Sequence, residues 1–238
     1  MVRLDKFLCD CNLGTRSQVK DFVKQGQVTV NGIIVKKADM KIDENSDDIT
    51  LRGELCTCRK FAYYMLHKPA GVVSATVDNT ADTVLTLLKD VKDKNLFPVG
   101  RLDKDTTGLL LITNDGDLSH RMLSPKKHVD KTYLVGIREP LTREAKTRLE
   151  QGVDIGDDKL TLPAVISLPA QTTDEPVQIL LTIHEGRFHQ VKRMLQAVGN
   201  EVVTLKRVSF GPLTLDDSLL PGQFRELTKQ EVEACMKC

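Results

Sequence analysis

Beyond residue 60, the apolar segments of this 238-residue chain do not alternate strand with helix, and that pattern limits the fold more than any single motif. Short apolar or β-branched segments at Ala62–Leu66, Leu109–Ile112, Thr132–Ile137, Ala164–Leu168, Val177–Ile183, Val202–Val208 and Leu213–Leu215 read as strands. Helical spacing shows at Ala81–Val91, Leu118–Leu123, Leu141–Gln151, Phe188–Val198 and Lys229–Met236. Strands outnumber helices, so a mixed sheet with helices packed on it is expected over 61–238, not a doubly wound parallel sheet. No stretch approaches the ~20 apolar residues of a membrane span. The first twenty residues are charged throughout and lack the apolar core of a secretory signal. A cytoplasmic chain with no membrane partner is the expectation.

Residues 1–53 carry their own pattern. Leu4, Phe7, Leu8 and Cys11 fall on one helical face. Thr15 or Ser17 is placed to cap a second helix ending near Lys24 or Gln25, with Val19, Phe22 and Val23 on one face and Gly26 as its stop. Val28–Val30 and Ile33–Val35 flank Asn31-Gly32, the signal of a hairpin with a two-residue turn, and a further strand is expected within Asp47–Leu51. Two helices and a small sheet make an α+β module of about 50 residues, near the lower limit of independent stability. Its residues Arg3-Leu4-Asp5-Lys6-Phe7-Leu8, Ser17 and Gly26–Gly32 resemble the S4 RNA-binding domain. That resemblance implies RNA contact through basic side chains such as Arg3, Lys6, Arg16 and Lys20. Charge alone argues neither way, since nine basic residues in 1–53 face eight acidic ones, four of them within 43–48. The whole chain is balanced too, at a formal +1. Glu54–Lys60 is polar and aperiodic and reads as a linker.

Six cysteines come in pairs, Cys9/Cys11, Cys56/Cys58 and Cys235/Cys238, and only the last has zinc-type spacing, with no histidine nearby. Reduced thiols and no metal are expected. Phosphate-binding glycine loops, dinucleotide fingerprints, H-E-x-x-H and G-x-S-x-G are all absent from the sequence. What remains is a carboxylate loop, Gly100–Gly108, running into Leu109–Ile112. If extended, Arg101 and Asp103 share a side while Leu102 faces the core. Read alone, these residues make a structural salt bridge at a strand end. Thr106, Thr107 and Gly108 on one side and Asn114-Asp115-Gly116 on the other frame a strand between two polar loops, a platform suited to a site.

Four ordered motifs identify the rest. Gly100–Gly116, Lys68-Pro69-Ala70-Gly71, Lys131-Thr132-Tyr133, and Glu185–Met194 followed by Ala197-Val198-Gly199 resemble those of the RsuA-type ribosomal RNA pseudouridine synthases. With the S4-like start, the resemblance covers almost the whole chain. It implies isomerisation of a uridine to pseudouridine without cofactor or metal. The family's catalytic aspartate falls on Asp103, its active-site tyrosine on Tyr133, and the basic partner of the aspartate on Lys192. Lysine replaces an arginine frequent among relatives, a point charge in place of a fork. Helical spacing sets Lys192 at the border of a stripe of Phe188, Val191, Leu195 and Val198. Arg101 is assigned to the flipped nucleotide or its phosphate, and Arg187, His189 and Gln190 to substrate contacts. The last motif is closest to the small-subunit branch, which implies a monomer acting on 16S ribosomal RNA or a small-subunit assembly intermediate. Competing readings are a large-subunit (23S) enzyme, a non-catalytic S4-type assembly protein, and a carboxylate hydrolase using Asp103 with Asp105. The hydrolase needs both carboxylates on one side, which a turn between them would prevent.

Overall fold

The computed structural model describes residues 1–11, 13–44, 46–56, 61–169 and 177–238. They form two compact units, Met1–Ala62 and Tyr63–Cys238.

In the first unit, strand β1 (Val2–Arg3) leads into helix α1 (Leu4–Asp10), and α2 (Arg16–Lys24) follows. Thr15, not Ser17, caps α2, in a reciprocal box with Gln18. Strands β2 (Val28–Val30) and β3 (Ile33–Ile34) pair through a turn in which Asn31 and Gly32 both adopt positive φ, as the Asn-Gly signal requires. Strand β4 (Lys41–Ile42) pairs with β1, while β5 (Ile49–Leu51) and β6 (Glu54–Leu55) extend the hairpin sheet in the order β3-β2-β5-β6. Leu4, Phe7, Leu8, Val19, Val23, Val28, Ile42 and Ile49 fill the core. The expected linker at 54–60 is therefore corrected at its start, where Glu54 and Leu55 pair with Leu51 and Thr50. Residues 57–60, including Cys58 of one cysteine pair, lie outside the described residues.

The second unit is built on one mixed sheet. Strand β7 (Tyr63–Lys68) is buried over its whole length. It is followed by a short 3₁₀ turn at Val84–Leu88, β8 (Phe97–Pro98), β9 (Thr107–Thr113), α3 (Gly116–Leu123), β10 (Lys131–Ile137) and α4 (Arg143–Gln151). Then come β11 (Val165–Ser167), β12 (Val177–Ile183), α5 (Gln190–Ala197), β13 (Val202–Phe210), β14 (Leu213–Thr214), β15 (Phe224–Glu226) and α6 (Lys229–Met236). Sheet order is β11-β12-β10-β13-β9-β7-β15, with β14 on β13 and β8 on β9. Every named pairing is antiparallel except β13 with β9. That one join links two antiparallel halves.

The helix expected over Ala81–Val91 is corrected to the short 3₁₀ turn. Asp78 accepts the backbone N–H groups of Thr80 and Ala81, and Val73 bridges to Thr83, so the chain is held in a turn where a helix would begin. The helix expected from Phe188 begins instead at Gln190, and its buried face is Gln190, Val191, Met194 and Leu195. Phe188 leaves the core and is exposed. No described helix is long and apolar enough to cross a membrane.

The parallel join is tight. Arg207 pairs with Gly108, whose φ is +103°, and a Cβ on Gly108 would fall 2.2 Å from the Arg207 carbonyl oxygen and 2.7 Å from its nitrogen. Backbone atoms cannot yield that space. Gly108→Ala should therefore lower stability by more than about 3 kcal/mol, read as a fall in the denaturation midpoint of the second unit; a wild-type midpoint would show that the strands separate freely.

Candidate active site

The parallel join lays one rung of residues across four strands, Lys68 on β7, Gly108 on β9, Arg207 on β13 and Tyr133 on β10. In the β10–β13 pairing Thr132 faces Ser209 and Tyr133 faces Arg207, so Val208 is the extra residue of a bulge in β13 beside Arg207, the kind of irregularity that re-aims a side chain. Lys131 and Tyr133 of β10, Leu205 and Arg207 of β13 and Ile183 of β12 line the floor of an open cleft with about 640 Å³ of space. One wall is the loop 100–106, the other the segment entering α5.

The loop is anchored from below. Lys68 is fully buried, and its Nζ donates to the carbonyl oxygens of Pro69 (3.0 Å), Lys104 (3.3 Å) and Thr106 (2.8 Å). Gly71 N–H also donates to the Lys104 carbonyl, and Ser74 Oγ both donates to the Leu102 carbonyl and accepts its N–H. The Lys-Pro-Ala-Gly segment thus acts as a clamp on the loop that carries Asp103. Burial lowers the Lys68 pKa to about 8, against the raising influence of the Asp105 and Asp103 charges.

Asp103 faces the cleft. One carboxylate oxygen lies 3.4 Å from Lys192 Nζ and the other 3.5 Å from His189 Nε2. Lys192 is closer to Asp105, donating to both its oxygens at 2.7 and 2.8 Å. Lys192, expected as the basic partner of Asp103, therefore faces Asp105 as well. A turn does occur, closed by Thr106 N–H on the Asp103 carbonyl, yet it brings both carboxylates to the same ammonium. Burial works to lower the Lys192 pKa, but the Asp105 hydrogen bond and the two carboxylate charges outweigh it, and the pKa is raised. The same hydrogen bond holds Asp105 below the usual carboxylate range.

The far wall is organised by Glu185. Its Oε1 accepts from Leu162 N–H (2.9 Å) and Gln190 Nε2 (3.0 Å), and its Oε2 accepts from Arg187 Nε (3.0 Å). Arg187 also donates to the Lys159 and Leu160 carbonyls and approaches Asp157. Arg187 and Gln190 both line the cleft, but their polar atoms are committed to holding this loop, a positioning role. His189 enters α5 in a left-handed conformation with its ring in the cleft. Arg101 is exposed on the loop wall, without an ion pair among the described residues, as a group meeting solvent or substrate would be.

Two floor residues carry weight that sequence reasoning missed. Arg207 is buried at 3% exposure, donates from Nε to the Leu109 carbonyl (2.8 Å) and stacks on the Phe210 ring (4.7 Å). Burial lowers its pKa, opposed by the Tyr133 hydroxyl. Its Nη2 and Thr106 Oγ1 are buried without hydrogen-bond partners among the described residues. Lys131, likewise buried, donates to the Val129 carbonyl at 2.6 Å, and burial together with the nearby Arg207 charge lowers its pKa to about 8. In the sequence Arg207 showed only as a cation within an apolar strand, while Lys131 stood in the Lys131-Thr132-Tyr133 motif with no role attached to it.

In the first unit, Arg3 chelates the buried Asp5 carboxylate through Nε (3.0 Å) and Nη2 (2.7 Å), which lowers the Asp5 pKa. Arg16 is near enough to act on the same carboxyl. Lys6, Arg16 and Lys20 are exposed, the latter two one turn apart on α2.

Comparison with known proteins converges on one family. The model of the RNA pseudouridylate synthases matches residues 62–197, and that of the S4 domain residues 2–48. A Bacillus subtilis protein described as an uncharacterized RNA pseudouridine synthase is 47% identical over 97% of each chain. The ribosomal small subunit pseudouridine synthase A of Vibrio cholerae is 44% identical over 99% of this chain and all of that one. A crystal structure titled as a pseudouridylate synthase superposes with a TM-score of 0.67 at 39% identity, covering 99% of this chain and all of that one.

The anchoring lysine gives a pH signature. In the folded chain Lys68 loses its proton near pH 8, whereas an unperturbed lysine keeps it to about 10.4. Between those values the unfolded state binds more protons, so the Lys68 contribution to stability should rise with pH across that window. Unfolding free energy measured from pH 7.5 to 10.5 should climb less steeply in Lys68→Met than in the wild type; equal slopes would contradict a neutralising Lys68.

Proposed function

The chain belongs to the RNA pseudouridylate synthase family, and we propose that it converts a uridine of 16S small-subunit ribosomal RNA to pseudouridine, with the Asp103 carboxylate as nucleophile. One observation carries this reading. Asp103 stands at the mouth of a cleft floored by Tyr133 and Arg207, held on a loop clamped by Lys68 and facing a cation whose charge is secured by two carboxylates. The small-subunit target is supported by relatives such as the Vibrio cholerae enzyme, whose name states that substrate class, and by matching length.

The chemistry follows from the groups present. A stacked uridine does not offer C1′ and C5 together, so the nucleotide turns out of the RNA into the cleft. The carboxylate adds to the nucleotide and is expelled again after the base has turned. The N1–C1′ bond breaks, a C5–C1′ bond forms, C5 gives up a proton and N1 gains one. No electrons are gained or lost, and the balance calls for no cofactor. Lys192 favours the ionised carboxylate. Tyr133 packs against the base and its hydroxyl assists the proton leaving C5. Arg207 Nη2 and Thr106 Oγ1, buried donors without partners beside that space, suit the carbonyl edges of uracil. Exposed Arg101 on the opposite wall suits a phosphate.

Purified protein should release tritium from C5-labelled uridine in 16S RNA, and Asp103→Asn should reduce release by at least ~10³-fold while leaving RNA affinity within about twofold. Full activity in that variant would exclude the nucleophile; pseudouridine appearing only in 23S RNA would move the target to the large subunit. For the S4 unit, Arg16→Ala with Lys20→Ala should weaken RNA binding and reduce the slope of log affinity against log salt by about 2, read by filter binding. An unchanged slope would remove these side chains from the RNA interface.

A further inference from the structure

Phe188 is the residue whose placement departs most from its sequence pattern. The helical stripe assigned it to the core, yet it is 70% exposed. A single exposed apolar side chain is ordinary on a protein surface. This one differs in its neighbour. Its ring stacks on that of His189, centroids 3.8 Å apart and planes 20° from parallel. The His189 ring in turn sets Nε2 3.5 Å from the Asp103 carboxylate. One face of the Phe188 ring is therefore covered by a cleft residue while the side chain remains open to solvent, with the His189 ring between it and Asp103.

The pair is pre-set. His189 holds a left-handed backbone with φ +48°, and Arg193 Nη1 donates to the Phe188 carbonyl at 3.1 Å. Arg193 also binds the Ile155 carbonyl and Asp157, which ties this corner to the neighbouring loop. An aromatic ring held in place offers contact area with little ordering cost on binding. Arg101 and Lys104 are exposed cations on the loop beside the mouth, suited to a phosphate backbone.

We infer that the Phe188–His189 stack is a platform for an unpaired RNA base next to the uridine that enters the cleft. Turning one nucleotide out of a strand leaves its neighbours with an uncovered face, and an aromatic plane at the cleft mouth replaces the lost stacking. Every base presents such a face, so the platform serves affinity and register more than base identity. This rests on the reading of the chain as an enzyme acting on RNA.

Three full-length variants test it in the tritium-release assay on 16S RNA, with thermal melting in parallel. Phe188→Ala and Phe188→Leu should each raise KM at least about fivefold, with a smaller effect on kcat and an unchanged melting temperature. Phe188→Tyr, which keeps the ring, should restore KM to within about twofold. A wild-type KM in Phe188→Leu would overturn the inference, because leucine keeps the apolar bulk and removes only the π face. A melting temperature that falls as KM rises in the alanine and leucine variants would also overturn it, assigning Phe188 to packing. A second arm is independent of catalysis, using a single-stranded oligouridine carrying one 2-aminopurine. Stronger quenching of that base by the wild type than by Phe188→Ala supports the platform, and equal quenching overturns it, whether or not tritium is released.

Discussion

The second unit hangs on the two-residue parallel contact between β9 and β13. Each half of the sheet is an antiparallel assembly, and each brings half of the active site. The loop with Asp103 leads into β9, while Tyr133, Lys131 and the segment ahead of α5 belong to the other half. Gly108 lets the two backbones meet closely enough for Arg207 to reach across and bind the Leu109 carbonyl. The distance between carboxylate and floor is thus fixed by main-chain contact, the least compressible kind available to a protein. A flexible side-chain interface at this seam would leave the carboxylate free to drift, and small displacements of a reacting group are costly to rate.

Three buried or half-buried cations near the cleft show how one charge type takes different roles. Lys192 faces two carboxylates, so its charge is secured despite partial burial. Lys68 faces mainly carbonyl oxygens, which accept its protons but offset only part of the burial cost, and its pKa falls to about 8. Arg207, also buried, remains a cation through the chemistry of guanidinium, with a ring, a carbonyl and a phenol around it. Only an arginine suits that last position, since a buried lysine there would surrender its proton more readily.

Much of this was legible in the chain. The capping threonine, the Asn-Gly hairpin and the mixed sheet follow from local rules of spacing and turn chemistry, which act over a few residues. What was misread depends on side-chain contacts that the spacing rules do not encode. The Asp103–Asp105 turn looked as if it would separate two carboxylates, until α5, about 87 residues on, supplied one ammonium to both. Phe188 fitted a helical stripe by spacing, but Glu185 and Gln190 fix the loop so that the helix begins two residues later. Arg207 appears in sequence as a cation in an apolar strand and Lys68 as the first residue of the Lys-Pro-Ala-Gly motif beyond one, and nothing local distinguishes a surface-seeking lysine from one that grips a loop.

The grip of Lys68 is made entirely on main-chain oxygens, those of residues 69, 104 and 106. Carbonyl oxygens are the same whatever side chain follows, so the geometry of the loop that carries Asp103 is insulated from the identity of residue 104. The outward face of that loop is consequently open to variation. Side chains on that face can be exchanged one by one while the carboxylate beneath keeps its place.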